Sequence, residues 1–503
     1  MGSHNATVFV QADVAGQNYT KHGVLVIALA TIVAAALPSI AGDLGSADGY
    51  AWVSYAYLLA ETHLLPLWSN LSVIWGRRNA ILLANTLFFA GSLVCALAIN
   101  MSMLVTGRYI QGAGAAGLVP LVNIILSELF TIKKRAKHMA ITNTSWAVAA
   151  AIGPLLGGAL AEHVTWRWCF YLNLPLNGII FILLLISLQT DQQNTSLPSS
   201  IKAIDWTIVS PIIDGTHMLL LGLQFGATGY PWDSIVVICW IILGISMMTL
   251  SIITEWYVPS HRPGLSIELF KHRSPLTAFI CSWIHGVISI APYYLHFFFQ
   301  TDQDASPALS SIHLLPMVLT AAATTIATGT FTQKTGNIVE PIRTGFLITT
   351  LGLSLFTNLD EHSSRTKLTI YQIVFGLGLG ANYSAPLLAV QRAIQTGDIA
   401  IATTTVAFSH QLGSALSLVI SGIILQSRVR RQQPRLLAGL GPDATAQLPS
   451  PGMQVPSGAF MRTLTGAQRN LVRVVYASSI RPMYHVYVVL SGVAFLLGFL
   501  IST

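Results

Sequence analysis

Few residues in this chain could do chemistry, and those that could are charged groups set inside apolar sequence. Arg108 precedes the string YIQGAGAAG (109–117), and Glu61 stands in YLLAETHLLP, each within a long apolar run. An ionisable side chain is expensive to hold there and marks a functional site by default. A guanidinium removed from water needs hydrogen-bonding partners. A buried carboxyl group is a candidate for taking up and releasing protons. Glu61, two residues from His63, could equally be a carboxyl group bonded to the backbone or to a polar neighbour. Gln111, close to Arg108, joins these two as a candidate for substrate contact or proton coupling. Asp214 and His217, three apart, would share one face of a helix in a coupling, structural or interfacial role. His285, His296, His313 and His410 are scattered and read as packing or interfacial histidines. Cys95, Cys169, Cys239 and Cys281 sit in or beside apolar runs without metal-ligand spacing and read as small apolar side chains. There is no G-x-S-x-G elbow, no H-E-x-x-H pair and no Walker sequence, so neither an enzyme nor a fused ATP-driven pump is expected. No metal site and no cofactor are expected either.

The elements that must position these groups are membrane helices. Hydrophobic residues make up 53% of the 503 and charged residues only 9%, against about 25% charged in a soluble domain. The mean hydropathy is +0.63. A spanning helix needs about 20 apolar residues, and the chain offers about fourteen such stretches. They lie near 23–42, 50–70, 79–98, 102–128, 138–160, 168–189, 204–226, 234–254, 275–299, 308–330, 341–359, 368–391, 399–425 and 483–503. With the N-terminus in the cytoplasm, Arg77, Arg78, Lys133, Lys134, Arg135 and Lys137 fall in inner loops. Asp43, Asp48, Glu162, Asp302 and Asp304 fall in outer ones. That is the asymmetry expected of a membrane protein, and it accounts for the basic balance without a nucleic-acid partner. The polar N-terminal stretch is not a signal peptide; the run from Val24 reads as a first membrane helix. Residues 426–482 would lie outside. Within them 440–460 read as irregular, and 463–477 place Leu464, Leu471, Val475 and Tyr476 on one face, either an amphipathic helix at the outer interface or a packed loop helix. Tyr293, Tyr294, Phe297, Phe298 and Phe299 read as an interfacial belt or as the rim of an apolar cavity.

The most specific motif is WAVAAAIGPLLGG (146–158), followed by WRWCFYLNLP (166–175). Gly153, Gly157 and Gly158 are at the small-residue spacing that lets helices approach closely, and Pro154 favours a bend. GAGAAG (112–117) also fits the dinucleotide pattern G-x-G-x-x-G, but no strand precedes it and no acidic residue follows at the right distance. Glycine packing of a membrane helix, beginning at Gly112, explains it better.

Taken with TIVAAALPSI (31–40), YIQGAGAAG after Arg108, QFGATGYPWDS (224–234) and FGLGLGANYSAPLLAVQ (375–391), these strings resemble the major facilitator superfamily, and within it the fungal fourteen-helix drug:proton antiporters. The resemblance implies an all-α membrane protein of two six-helix bundles plus two inserted helices, with a substrate site near the bilayer midplane. On that pattern residues 1–22 are a cytoplasmic tail and 23–189 the N-terminal bundle. Residues 190–256 hold the inserted pair, and 257–503 the C-terminal bundle with its long outer loop. Arg108 matches the fourth-helix arginine, and Gln391 and Gln411 would line the C-terminal half of the cavity. The implied activity is proton-coupled efflux of lipophilic drugs, toxins or secondary metabolites by a monomer in the plasma membrane rather than the vacuole. The partners would be the lipid bilayer, a small lipophilic substrate and protons, the proton gradient standing in place of a cofactor. A siderophore or amino-acid carrier of the same fold, or a non-transporting membrane receptor, are the alternatives.

Two departures bear on mechanism. The family's inner-loop motif resembles G-K-L-S-D-x-x-G-R-K; here it reads SNLSVIWGRR (69–78), keeping Gly76, Arg77 and Arg78 but placing Val73 where an Asp belongs. Arg77 and Arg78 are therefore expected to lose a partner, weakening the inner latch. In the first helix, Leu29 stands where the family has an Asp.

Overall fold

The computed structural model describes residues 33, 36–37, 39–40, 43–44, 49–187, 196–228, 230–257, 268–302, 307–360, 363–394, 398–446, 448 and 458–501. Among these there is no strand. Hydrocarbon offers the backbone no hydrogen bonds, so a spanning segment must satisfy its own peptide groups, and a helix does so locally. The helices used below are α1 (Gly49–His63), α2 (Leu65–Trp75), α3 (Arg77–Ala96), α4 (Met101–Leu129), α5 (Ile132–His163), α6 (Trp168–Tyr171) and α7 (Asn173–Ser187) in the N-terminal half. The inserted pair is α8 (Trp206–Thr228) and α9 (Ile235–Tyr257). The C-terminal half holds α10 (Arg273–Ile288), α11 (Ala291–Asp302), α12 (Pro307–His313), α13 (Leu315–Thr335), α14 (Val339–Phe356), α15 (Arg365–Ala381), α16 (Ala385–Ala393), α17 (Ile399–Arg431), α18 (Gln433–Leu440) and α19 (Gly466–Leu497).

Ten helical stretches among the described residues are long and apolar enough to cross a membrane. Three further stretches, α1 with α2, α5, and α14, occupy the second, fifth and eleventh expected spans. The first expected span, 23–42, lies largely outside the described residues, as do Leu29 and the tail 1–22. Several spans are broken where the sequence says they should be. Pro66 and Pro316 each sit at the start of a helix that resumes after a one-residue interruption, where the missing N–H of proline costs nothing. Between α2 and α3 the chain turns at Gly76 with φ +93°, a left-handed backbone that only glycine adopts freely.

The two halves meet along α5 and α13, and again where α17 packs on α1, α2 and α4. The inserted helix α8 contacts both α1 and α17, while α9 packs chiefly on α8. Ile235, Ile242, Leu250 and Trp256 of α9 are more than half exposed, a surface suited to lipid rather than water. Side-chain ties mark the two ends of the molecule. At the outer end Trp166 Nε1 donates to Asp43 Oδ2 (2.9 Å) and Arg167 Nη1 to the same oxygen (3.1 Å). The Trp166 bond first, then that from Arg167, holds the Asp43 carboxyl below the usual carboxylate range. Arg481 donates to the Leu359 carbonyl, placing the start of the last span beside the outer end of α14. Arg343 Nε reaches the Gly498 carbonyl (3.1 Å) at its inner end.

Two expectations are corrected. Residues 463–477 are not a separate interfacial helix: from Gly466 they form the first turns of α19, one helix of 32 residues opened by a capping box of Thr465 and Gln468. Leu464, Val475 and Tyr476 are buried against protein. An apolar stripe has the same period whether it faces lipid headgroups or a neighbouring helix. Nor do the aromatics of α11 make a belt or a rim. Tyr294, Phe298 and Phe299 are buried in the C-terminal core and Tyr293 is exposed; the side chain of Phe297 lies outside the described residues.

Candidate functional site

The polar centre of the N-terminal half is built around Arg108, which is 3% exposed. Its Nε donates to the Val53 carbonyl of α1 (3.1 Å) and its Nη1 to Gln111 Oε1 (2.6 Å). Gln111 Nε2 in turn donates to Ser92 Oγ of α3 (2.9 Å), which also accepts from Asn173 Nδ2 of α7 (3.2 Å). One cation therefore ties four helices. Its guanidinium lies 4.3 Å from the centre of the Tyr57 ring, a cation–π contact that gains strength away from water. One helical turn beyond Tyr57, Glu61 Oε2 accepts from Gln411 Nε2 of α17 (3.2 Å). Arg108, Tyr57 and Glu61 thus form a row that ends on the opposite half of the molecule.

Glycines make this row possible. A methyl group at Gly112 would collide with the Tyr57 carbonyl, one at Gly114 with the backbone of Ala84 and Phe88, and one at Gly117 with the Trp68 ring. Without side chains there, α1 and α3 lie close enough to α4 for Arg108 to reach a backbone carbonyl of α1. The G-x-G-x-x-G string is a set of helix contacts. In α5, which lies on the seam between the halves, Gly153 and Gly157 are buried and Gly158 is half-buried; the side chain of Pro154 is outside the described residues.

Asp214 does not join this centre. It is exposed on α8, while His217 turns inward to place its ring 4.8 Å from that of His63. His63 also meets the Tyr109 hydroxyl at 3.0 Å. Glu61 and His63 therefore point different ways, the first to the C-terminal half and the second to the inserted pair.

At the inner end, Arg77 keeps a carboxylate despite Val73. Its Nη2 lies 2.8 Å from Glu128 Oε1 at the end of α4, its Nε 3.0 Å from the same atom, and its Nη1 donates to Ser72 Oγ (2.8 Å). Arg78 donates to the Leu185 carbonyl (3.0 Å). The expected loss of partners is corrected: the partner comes from another helix, 51 positions along the chain. Sequence reasoning also missed the tie between the halves here. Buried Arg135 donates from Nη1 to Gln391 Oε1 (2.8 Å) and from Nη2 to the carbonyls of Phe130 (3.1 Å) and Ser127, and Gln391 Nε2 donates to Thr403 Oγ1 (2.8 Å). Arg135 sits in KKRAK, a run legible only as inner-loop charge. Gln391 belongs to this tie, and Gln411 to the central row.

The pattern of buried charge within the N-terminal helices, paired halves and an inserted helix pair narrows the fold, and comparison with known proteins decides it. Residues 23–418 match the family model for the Major Facilitator Superfamily. The chain belongs to this superfamily. Among its relatives is the "Efflux pump dotC" of Dothistroma septosporum (strain NZE10 / CBS 128990), 39% identical over 458 residues, covering 91% of this chain and 78% of the relative. Another is the "MFS-type transporter ppz2" of Metarhizium majus (strain ARSEF 297), 36% identical over 465 residues, covering 92% and 80%. The human organic anion transporter MFSD10 (TETRAN) has the same fold, with a TM-score of 0.59 and 14% sequence identity over 97% of this chain and 99% of that one. This major facilitator protein is a multi-pass membrane transporter and not an enzyme. The row from Arg108 to Gln411 is its candidate site.

Proposed function

We propose that this transporter exports small lipophilic compounds such as secondary metabolites or toxins in exchange for protons. The observation that carries the reading is the bond from Gln411 to Glu61 across the two halves, one helical turn from Tyr57 and the cation of Arg108. A charged carboxylate accepts such a bond strongly and a neutral one weakly. Proton uptake at Glu61 loosens the tie between halves, and proton loss restores it, so one titration changes both the charge of the site and the grip between bundles. Arg108 stays positive throughout and offers a lipophilic substrate little, so its part is to hold the row and bias Glu61. The name of the Dothistroma relative, an efflux pump, supports the direction of transport. The energy source in this reading is the proton gradient, the membrane is the plasma membrane, and one chain acts alone.

The test is purified protein in liposomes with an imposed proton gradient, a pH dye, and a panel of lipophilic cations and metabolite-like compounds. Compound-dependent proton flux that disappears in Glu61→Gln and in Arg108→Ala is the expected result. Undiminished flux in Glu61→Gln removes Glu61 from the mechanism. No flux with any compound from folded wild-type protein overturns the exchange reading.

A further inference from the structure

We propose that His285 and His410 form a second proton-binding centre, in the C-terminal half, separate from Glu61 and Arg108. His285 Nδ1 lies 3.1 Å from His410 Nε2, and His285 Nε2 lies 3.2 Å from the Leu379 carbonyl. A carbonyl only accepts, so the proton of neutral His285 sits on Nε2 and its Nδ1 is a bare acceptor. His410 must then donate from Nε2, which leaves its Nδ1 as the basic nitrogen of the pair. Among the described residues no hydrogen bond involves that atom. His285 is 2% exposed, and His410 is less enclosed.

The pair is held by backbone contact. α10 and α17 cross where a methyl group at Gly286 would collide with the His410 carbonyl. Ser414 Oγ donates to the Gly286 carbonyl (2.9 Å), closing the same crossing. A proton from hydronium adds to His410 Nδ1, forming one N–H bond and breaking one O–H bond of the hydronium, which leaves as water. The resulting imidazolium still donates from Nε2 to neutral His285, which stabilises the cation by a charge-assisted bond. Among the described residues, the titratable group facing the pair is Tyr383, whose ring lies 5.4 Å from that of His285; Glu61 is bonded to Gln411, the residue after His410, rather than to the pair. Charge at His410 is therefore set one residue from the link between the halves. The use of that proton in transport rests on the exchange reading above; its binding does not.

The test is nitrogen NMR of histidine-labelled full-length protein in detergent, titrated between about pH 4 and 8 and assigned with His410→Gln and His285→Gln. Glutamine at 410 keeps a donor toward His285 and removes the titrating ring. The expected result is an Nε2–H tautomer in both rings at neutral pH, protonation of His410 on acidification, and a midpoint that moves by about one pH unit in His285→Gln, as coupled groups require. Rings that stay neutral while other histidines of the folded protein titrate, or a His410 midpoint unchanged by His285→Gln, overturn the proposal. In liposomes with tetraphenylphosphonium as probe, His410→Gln is expected to lower the number of protons moved per probe molecule. An unchanged number overturns a role in coupling. Wild-type protein that moves no protons overturns the exchange reading and leaves the NMR result to decide this one.

Discussion

The two halves of the molecule bury polarity in opposite ways. The N-terminal half carries ionisable groups at its centre, the carboxyl of Glu61 and the cation of Arg108, and satisfies the cation with a carbonyl, an amide and an aromatic face. The C-terminal half relies on groups that can stay neutral. Ser417 and Ser421 share the Tyr487 hydroxyl at 3.0 and 2.7 Å, Tyr294 donates to the Leu418 carbonyl (2.9 Å), and His285 meets His410. Neutral networks hold a bundle together without imposing a field. In the proposed exchange, a fixed cation beside a titratable acid makes one half responsive to protons, and the Gln411 bond passes that response to the other half. The contrast is between a half with a standing cation at its centre and a half whose buried groups are neutral until His410 takes up a proton, as proposed above.

The most severe way to break the contrast is Arg108→Ala. It leaves Gln111 and the Val53 carbonyl short of a donor inside the bundle, and we expect transport to fall to background with a loss of about 3 kcal/mol in stability, read by flux and by thermal melting in detergent. Retained transport would mean that the N-terminal charge is structural only. Gly112→Ala tests whether the site depends on close approach of α1 and α4. The added methyl meets the Tyr57 carbonyl, which cannot move alone, so a cost of about 2 kcal/mol is expected. Gly178→Ala, where nothing lies within 4 Å of the added carbon, is the neutral control. At the inner end, a double-mutant cycle of Arg135→Ala and Gln391→Ala should return a coupling of about 1 kcal/mol; additive effects would show that this tie does not join the halves. Smallest of all is Asp43→Asn. The Asp43 carboxyl is held below its usual range, so its contribution is present above about pH 4 and fades as the pH falls through the lowered value. The pair with Arg167 is exposed, and screening leaves little of it. Melting at neutral pH should barely move, and a large shift would mean that the outer end is a structural keystone.

Much of this was legible in the residues. Long apolar runs, inner-loop arginines and the glycine strings placed the helices, because length, charge asymmetry and small-residue spacing are local properties. Arg108 and Glu61 announced themselves for the same reason: charge inside an apolar run is visible in sequence. Their partners were not. Gln411 is 350 positions from Glu61, and Gln391 is 256 from Arg135; only the folded halves bring them together. The His285–His410 pair was invisible because two isolated histidines have no period and no motif. The belt of aromatics and the interfacial helix failed differently. A run of large apolar side chains states that something covers it, and does not state whether that is lipid or protein. Val73 misled because a lost carboxylate in one motif says nothing about a carboxylate on a neighbouring helix.

The most direct test of a proton-sensing N-terminal half is proton release on binding. Calorimetric titration of a transported compound into detergent-solubilised protein, repeated in buffers of different ionisation enthalpy, counts the protons released. Wild-type protein should release a proton as the compound binds, and Glu61→Gln should bind without releasing one from this site. Equal release from both proteins would contradict the assignment of Glu61 as the group through which the two halves respond to protons.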